Sequence, residues 1–459
     1  MIVDIESPIY LLQFFLVFAQ LYFMVKNKEN DLGLRALLLA NDCNPDWPSI
    51  PAWTYKFART IANYIDVVVV TQIRNKPNID RDGMGKARVV YLDTEKIAAP
   101  LYKLAEAMSG GANMGMTIKT AMGYPSYLAF EWAAWKHFRQ DLRNGQFDVV
   151  HRVSPLSPTI PSPIASWSRV PFLIGPINGG LPWPEEFKAE IDRGREWLRY
   201  FRKAYKLMPY YQSTYKCSAA ILAGFDHSIA ELPTVAKLKT INFPDPGLDP
   251  DLFTLTSRPK QEQMTILFVG RLVPYKLPEV VIRAFAGSSI LRQHRLLIVG
   301  SGPARPRLEQ MIEAQGLGRC VELLGQKTQA EVGVLMRQAD IFAFPSICEL
   351  GAGVVVEAMA CGMACVVVDY GGPATLVQPD RGVKIPMADL NHLVLRFTEE
   401  LEHLVKDPDR VAHLGRAAHH HAITYYSWDA KARKTLEIYN WVTGRQQVKP
   451  DFWDQPHLS

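Results

Sequence analysis

Residues 66–71 (DVVVVT) contain four consecutive valines, so a strand formed there has nothing polar to offer water on either face. Such a strand belongs inside a sheet covered on both sides, the environment of a parallel strand between layers of helix. Residues 34–40 (LRALLLA) form a similar run, and a turn-rich stretch (41–51) and a helical segment (53–64) separate the two. Together they make a βαβ unit. Further strands are expected at 87–92, 147–151, 171–175 and 219–223. A second series of the same kind runs through 264–269, 295–299, 321–324, 341–343 and 364–369. The implied fold class is α/β, with two Rossmann-like parallel-sheet domains in tandem. A chain of 459 residues is also too long for one ordinary core. The expected organisation is an apolar N-terminal segment (1–30), a first domain (31–237), a Pro- and Asp-rich linker (238–256) and a second domain (257–426). A C-terminal helix (427–445) packing back toward the first domain and a tail (446–459) complete it.

Residues 8–25 (PIYLLQFFLVFAQLYFMV) are apolar apart from Gln13 and Gln20. The segment is at the short end of what crosses a bilayer. Asp4 and Glu6 before it argue against a secretory signal, and Lys26 and Lys28 after it would leave the rest of the chain in the cytoplasm. Two readings stand: an apolar helix that anchors the chain at the inner face of the membrane, or one packed on the body of the protein. Net charge is +5 without a dense Lys/Arg block, so no nucleic-acid partner is expected. The six cysteines form no CxxC pair and no zinc-like spacing with histidine. No metal site is expected.

The segment richest in chemistry is 345–372 (PSICELGAGVVVEAMACGMACVVVDYGG). A strand ends in a loop holding Glu349, Gly351 and Gly353, and a helix comes next, carrying Glu357. Ligands of such folds bind at the C-terminal ends of the strands, glycines admit close backbone approach, and a helix N-terminus favours phosphate. Glu357 stands between Val354-Val355-Val356 and Ala358-Met359-Ala360, where a carboxylate is costly without partners. Two vicinal ribose hydroxyls would satisfy it. A solvent-facing glutamate on an amphipathic helix is the plainer alternative. Directly after another strand comes Gly270-Arg271-Leu272-Val273-Pro274-Tyr275-Lys276. Its two cations suit a diphosphate and the charge that develops as one departs. Alone, the loop reads more readily as ordinary surface charge at a strand end than as a phosphate site.

In this order the segments resemble the retaining glycosyltransferases of family 4, whose fold is GT-B. The Glu-x7-Glu pair is matched by Glu349 and Glu357, and the Gly-Arg-x4-Lys loop by Gly270, Arg271 and Lys276. Val299-Gly300-Ser301-Gly302-Pro303, Gly325-Gln326, Ala339-Asp340 with Pro345-Ser346, Gly371-Gly372 and Tyr426-Ser427-Trp428 resemble further family motifs. The resemblance implies two domains facing a central cleft, the second holding the donor and the first the acceptor. It implies that Glu357 holds the donor ribose, Glu349 the hydroxyls of the transferred sugar, and Arg271 and Lys276 the diphosphate. Gly270, Gly300, Gly302, Gln326, Ala352 and Gly353 would line the donor site. One departure is plain: the family usually has Glu-Gly-Phe-Gly where this chain has Glu349-Leu350-Gly351-Ala352.

The first half matches less closely. The loop after its first strand has no glycine, and Ser49 stands where a small residue would touch phosphate. Gly175-Pro176-Ile177-Asn178-Gly179-Gly180 resembles a glycine-rich loop of part of the family, which makes Asn178 and Gly179 acceptor-side candidates. His151, at a strand end, is either a further acceptor-side candidate beside Ser49, Asn178 and Gly179, or a structural histidine. Three features invite over-reading. Gly300-Ser301-Gly302 lacks the third glycine of a dinucleotide fingerprint. His419-His420-His421 reads as a solvated helix face. Trp183, between two prolines, stacks on a sugar or packs in its loop.

The expected activity is transfer of a sugar, with retention and without a metal or other cofactor, from a nucleotide sugar (UDP-, GDP- or ADP-linked). Its acceptor would be a glycan, a lipid-linked molecule or a small molecule. The alternatives are a nucleotide-sugar epimerase of the same fold and a catalytically silent binding or scaffold protein.

Overall fold

The computed structural model describes residues 33–100, 116–187, 204–256 and 263–453. The apolar segment 8–25 and most of the Arg- and aromatic-rich stretch 193–211 lie outside the described residues. Among the described residues no helix is long and apolar enough to cross a membrane.

Two parallel sheets organise the chain. The first contains β1 (Arg35–Ala40), β2 (Asp66–Gln72), β3 (Arg88–Leu92), β4 (Val149–Ser154), β5 (Phe172–Ile177), β6 (Ala220–Ala223) and β7 (Thr240–Asn242), in the order β3-β2-β1-β4-β5-β6-β7. The second contains β8 (Thr265–Val269), β9 (Arg295–Val299), β10 (Val321–Gly325), β11 (Ile341–Phe344), β12 (Ala364–Val368) and β13 (Gly382–Ile385), in the order β10-β9-β8-β11-β12-β13. The valines of β2 and all of β12 are buried, as strands apolar on both faces require. In each sheet the chain first builds outward one way and then returns to build the other. The reversal falls between β1 and β4 in the first and between β8 and β11 in the second. Such switch points leave a crevice at the C-terminal ends of the two central strands.

Four helices set the two domains and the candidate site in place: α1 (Ile50–Ile61), α2 (Gly353–Ala360), α3 (Pro408–Tyr426) and α4 (Trp428–Val442). α1 starts with Pro51 in its first turn and buries Thr54, Tyr55, Phe57, Ala58 and Ile61, a stripe at helical spacing. α3 packs in the second domain, but the chain then turns at Ser427 and α4 lies against α1 of the first. Trp53 of α1 stacks on Phe57 with ring centroids 5.1 Å apart and meets Trp428 of α4 edge-on at 5.7 Å. The Tyr64 hydroxyl donates to Asp429. The chain therefore crosses between domains twice, and the crossings are hydrogen-bonded together. Leu248 N–H donates to the Tyr426 carbonyl at 2.7 Å, and Trp428 N–H to the Leu248 carbonyl at 3.2 Å.

The structure revises the sequence reading in three places. Residues 240–242, assigned to the linker, are β7, the last strand of the first sheet. Residues 446–453 are not a loose tail: Phe452 is buried against Phe243, and Trp453 stacks on His421. The triple histidine is solvated only at His420. His419 Nδ1 bonds the Ala360 carbonyl at 2.7 Å, and burial pushes the His421 imidazole down to about 4.

Candidate active site at the switch point of the second sheet

The loops leaving β8 and β11 sit side by side because these strands are paired. Gly270 opens the first loop. A Cβ there would come within 3.0 Å of the Lys276 stem, so the glycine makes room for the lysine to fold back. Lys276 Nζ reaches Glu349 Oε1 at 2.5 Å, and both side chains are largely buried (11% and 15% exposed). The ammonium also lies 4.9 Å from the centre of the Phe344 ring, within cation–π range. Ser346 Oγ lies 3.0 Å from the same Glu349 oxygen and 3.3 Å from the Tyr275 carbonyl, its one proton shared between acceptors on the two loops. Arg271 remains exposed and donates to the Tyr275 hydroxyl at 2.5 Å.

Beyond Glu349 the chain turns sharply into α2. Ala352 caps this helix in the left-handed region, φ 51° and ψ 50°, a conformation that glycine adopts at little cost and alanine does not. Gly353, the first helical residue, is exposed, and a Cβ placed on it would meet nothing within 4 Å, so the helix start is open to a ligand. One face of α2 carries Glu357, half-buried. Its hydrogen bond comes from Gln329 Nε2 at 3.2 Å, at the start of the helix Gln329–Gln338 that follows β10. Burial holds the Glu357 carboxyl above the usual carboxylate range; the Gln329 amide and the positive charge of Lys56, on α1 of the first domain, pull the other way. The glycine pair supports this loop from behind. Gly372 N–H donates to the Glu349 carbonyl at 2.8 Å, and a Cβ on Gly371 would fall 2.5 Å from that oxygen.

Gly300 and Gly302 prove to be packing glycines. Gly300 has φ 141°, and a Cβ there would lie 1.9 Å from the Gly270 carbonyl; one on Gly302 would lie 2.4 Å from that of Leu272. They let the β9 loop press on the β8 loop. Gln326 accepts from Ser301 Oγ at 3.1 Å.

The acceptor-side candidates separate. Ser49 is exposed at φ 70° and ψ −131° in the loop after β1, a backbone that suits glycine. Asn178 and Gly179 come directly after β5. Asn178 Nδ2 donates to Asp245 Oδ1 at 2.8 Å, and Gly179 N–H donates to Ser228 Oγ at 3.2 Å. His151 is not on the surface of this face. It is fully buried, with Nδ1 2.7 Å from the Tyr439 hydroxyl and Nε2 2.8 Å from the Gly175 carbonyl. A carbonyl only accepts, so Nε2 carries the proton, and burial lowers the ring's pKa to about 4. Both nitrogens are engaged in joining β4, β5 and α4, which is a structural role. Trp183 packs edge-on against Tyr275 of the second domain at 6.0 Å, and the Tyr370 hydroxyl donates to the neighbouring Pro182 carbonyl at 2.8 Å. The loops at the C-terminal ends of the two sheets thus meet.

Sequence reasoning gives no role to Tyr275, Ser346, Gln329, Lys56 or Asp245. Tyr275 lies inside the Gly-Arg-x4-Lys loop and Ser346 in the Pro-Ser motif, so a signal exists for those two. The others owe their place to tertiary contacts alone.

Comparison with known proteins agrees with this geometry. Residues 256–421 match the family described as glycosyl transferases group 1. The D-inositol 3-phosphate glycosyltransferase of Gordonia bronchialis is 32% identical over 214 residues, which is 42% of this chain and 46% of that protein. The match thus spans less than half the length of that relative. Among solved structures, sucrose-phosphate synthase from Thermosynechococcus elongatus is similar over 90% of this chain and 100% of its own, with a TM-score of 0.59 and 17% identity. An Anabaena protein, HepE, solved in complex with UDP, is similar over 88% of this chain and 99% of its own, with a TM-score of 0.57 and 15% identity. These structures share the two-domain GT-B fold. Over residues 256–421, then, this chain is similar to the glycosyl transferases group 1 family.

Proposed function

We propose that the chain transfers a sugar, with retention and without a metal, from a nucleoside diphosphate sugar held at the switch point of the second sheet to an acceptor carried by the first domain. The observation that carries this reading is Glu357. A carboxylate half-buried in an apolar helix, with its pKa raised and one amide beside it, is under-satisfied as it stands. The two hydroxyls of a ribose would supply the donors it lacks. Arg271 and Lys276 would meet the diphosphate and stabilise the negative charge it gains on leaving. Glu349 would then exchange part of its contact with Lys276 for sugar hydroxyls. Closure of the domains would exclude water from the donor.

UDP is the first nucleotide to test, because HepE has been solved with UDP, UDP with glucose, and UDP-glucose. The relatives named for D-inositol 3-phosphate make a polyol phosphate the first acceptor, beside glycans and lipid-linked acceptors. Residues 8–25 would hold the enzyme at the inner face of the membrane. The deciding experiment is donor hydrolysis without acceptor across a panel of UDP-, GDP- and ADP-sugars, each first screened by thermal shift. Slow hydrolysis of one donor, abolished by Glu357→Ala, is expected. Equal turnover by the variant removes the site.

A further inference from the structure

Asp245 lies in the first crossing between the domains, in a stretch that the sequence presents only as a Pro- and Asp-rich connector. Its surroundings come from four separate parts of the chain. Trp53 of α1 donates its indole N–H to the Asp245 carbonyl. Asn178, from the loop after β5, donates Nδ2 to Oδ1 at 2.8 Å, and Asn178 is itself braced through its own oxygen by Ser228 Oγ at 3.3 Å. On the opposite side the carboxylate presses on the donor loop. A Cβ built on Gly351 would stand 2.6 Å from Oδ2 and 2.7 Å from Oδ1, closer than any real side chain could come. Behind it, Lys431 of α4 is fully buried, donates to the Pro244 carbonyl and lies 4.2 Å from the centre of the Phe243 ring. Burial lowers the pKa of the lysine and raises that of Asp245, and their opposite charges resist both shifts.

Gly351 is two residues from Glu349 and next to the strained Ala352. It is also a position where the chain departs from the Glu-Gly-Phe-Gly pattern it otherwise resembles. The structure supplies a physical reason: the space a side chain would need at 351 is filled by the Asp245 carboxylate. The same carboxylate is hydrogen-bonded to the first domain. It therefore acts as a spacer between the loop that carries Glu349 and the loop that carries Asn178.

We propose that Asp245 is a positioning residue for sugar transfer, wedged between Asn178 and Gly351 so that it fixes where the Glu349–Gly353 loop stands relative to the first domain. The proposal rests on reading that loop as part of the donor site. Asp245 acts through Gly351 and Asn178 rather than on the substrate.

The test is a double-mutant cycle on the full chain with Asp245→Ala, Gly351→Ala and the pair, read out three ways: UDP affinity, kcat and KM for donor turnover, and melting temperature. Gly351→Ala is expected to lower kcat about tenfold or more while Asp245 is present and less than about twofold when Asp245 is alanine, since the added methyl then has room. UDP affinity should stay within about threefold throughout, and Asp245→Asn, which keeps an acceptor for Asn178, should recover most of kcat. If Asp245→Ala strands Lys431 and fails to fold, the cycle is run on Lys431→Met. Equal effects of Gly351→Ala in both backgrounds would overturn the proposal, as would coupling seen in melting temperature but not in kcat. A parent protein that turns over no nucleotide sugar would instead defeat the proposed function. The melting-temperature cycle would still decide whether Asp245 and Gly351 compete for the same space.

Discussion

Lys276 Nζ and Glu349 Oε1 stand 2.5 Å apart at the ends of two adjacent parallel strands, each side chain more than four-fifths buried. A pair so enclosed is worth less for stability than its Coulomb energy suggests, because both charges have left water. Removing one partner strands the other. Lys276→Met and Glu349→Gln are each expected to lower kcat/KM for the donor by about 100-fold or more. The double variant should be little worse than the poorer single one, because the groups act as a unit. Steady-state kinetics of the three variants measures this. Multiplying losses would show that the pair is not one functional unit.

Ala352 holds a left-handed backbone at the entrance to α2. That conformation costs an L-residue on the order of 1 kcal/mol, and glycine is largely spared it. Glycine also gains freedom in the unfolded chain, which offsets part of the relief. Ala352→Gly is therefore expected to raise the melting temperature by about 1–2 °C with donor affinity retained. A lower melting temperature would mean that the loop draws support from the alanine methyl.

His151 gives a pH prediction whose sign is fixed by its burial. Its folded-state pKa is lowered to about 4 from an ordinary 6.5. Below pH 6.5 the unfolded chain takes up a proton that the folded chain refuses, so stability falls as pH drops through that window toward 4. His151→Gln removes this proton uptake while costing the bond to Tyr439 or to Gly175. The stability gap between parent and variant should therefore narrow by roughly 2 kcal/mol from about pH 7.5 to about pH 5. Urea titrations at the two pH values test it; a constant gap would place the proton elsewhere.

The two-sheet architecture is legible in the sequence because strands buried on both faces leave long apolar runs, and eleven of the thirteen strands lie on such runs. β7 and β13 are not, for a physical reason. Three residues beside Pro244, and four following Arg381, are too few to show a period, and they become strands only because a neighbouring strand offers its hydrogen bonds. The donor side is readable because its residues are close together in the chain and chemically unusual there, above all Glu357 among valines and alanines. The other wall is not. His151 reads as a strand-end residue of either acceptor-side or structural use, yet it lies within β4 and Tyr439, 288 residues further on, covers it. Asp245 reads as linker, and its partners at 53, 178, 351 and 431 share no local pattern with it.

The paired crossings at Leu248 and Ser427 have a mechanical consequence. A lobe hung from a single peptide strand could twist, slide and tilt. A second strand bonded to the first is expected to restrict those motions, so that the domains would move about the paired crossings. Trp183 with Tyr275 and Pro182 with Tyr370 are the contacts across the domains that such a constraint would keep in register.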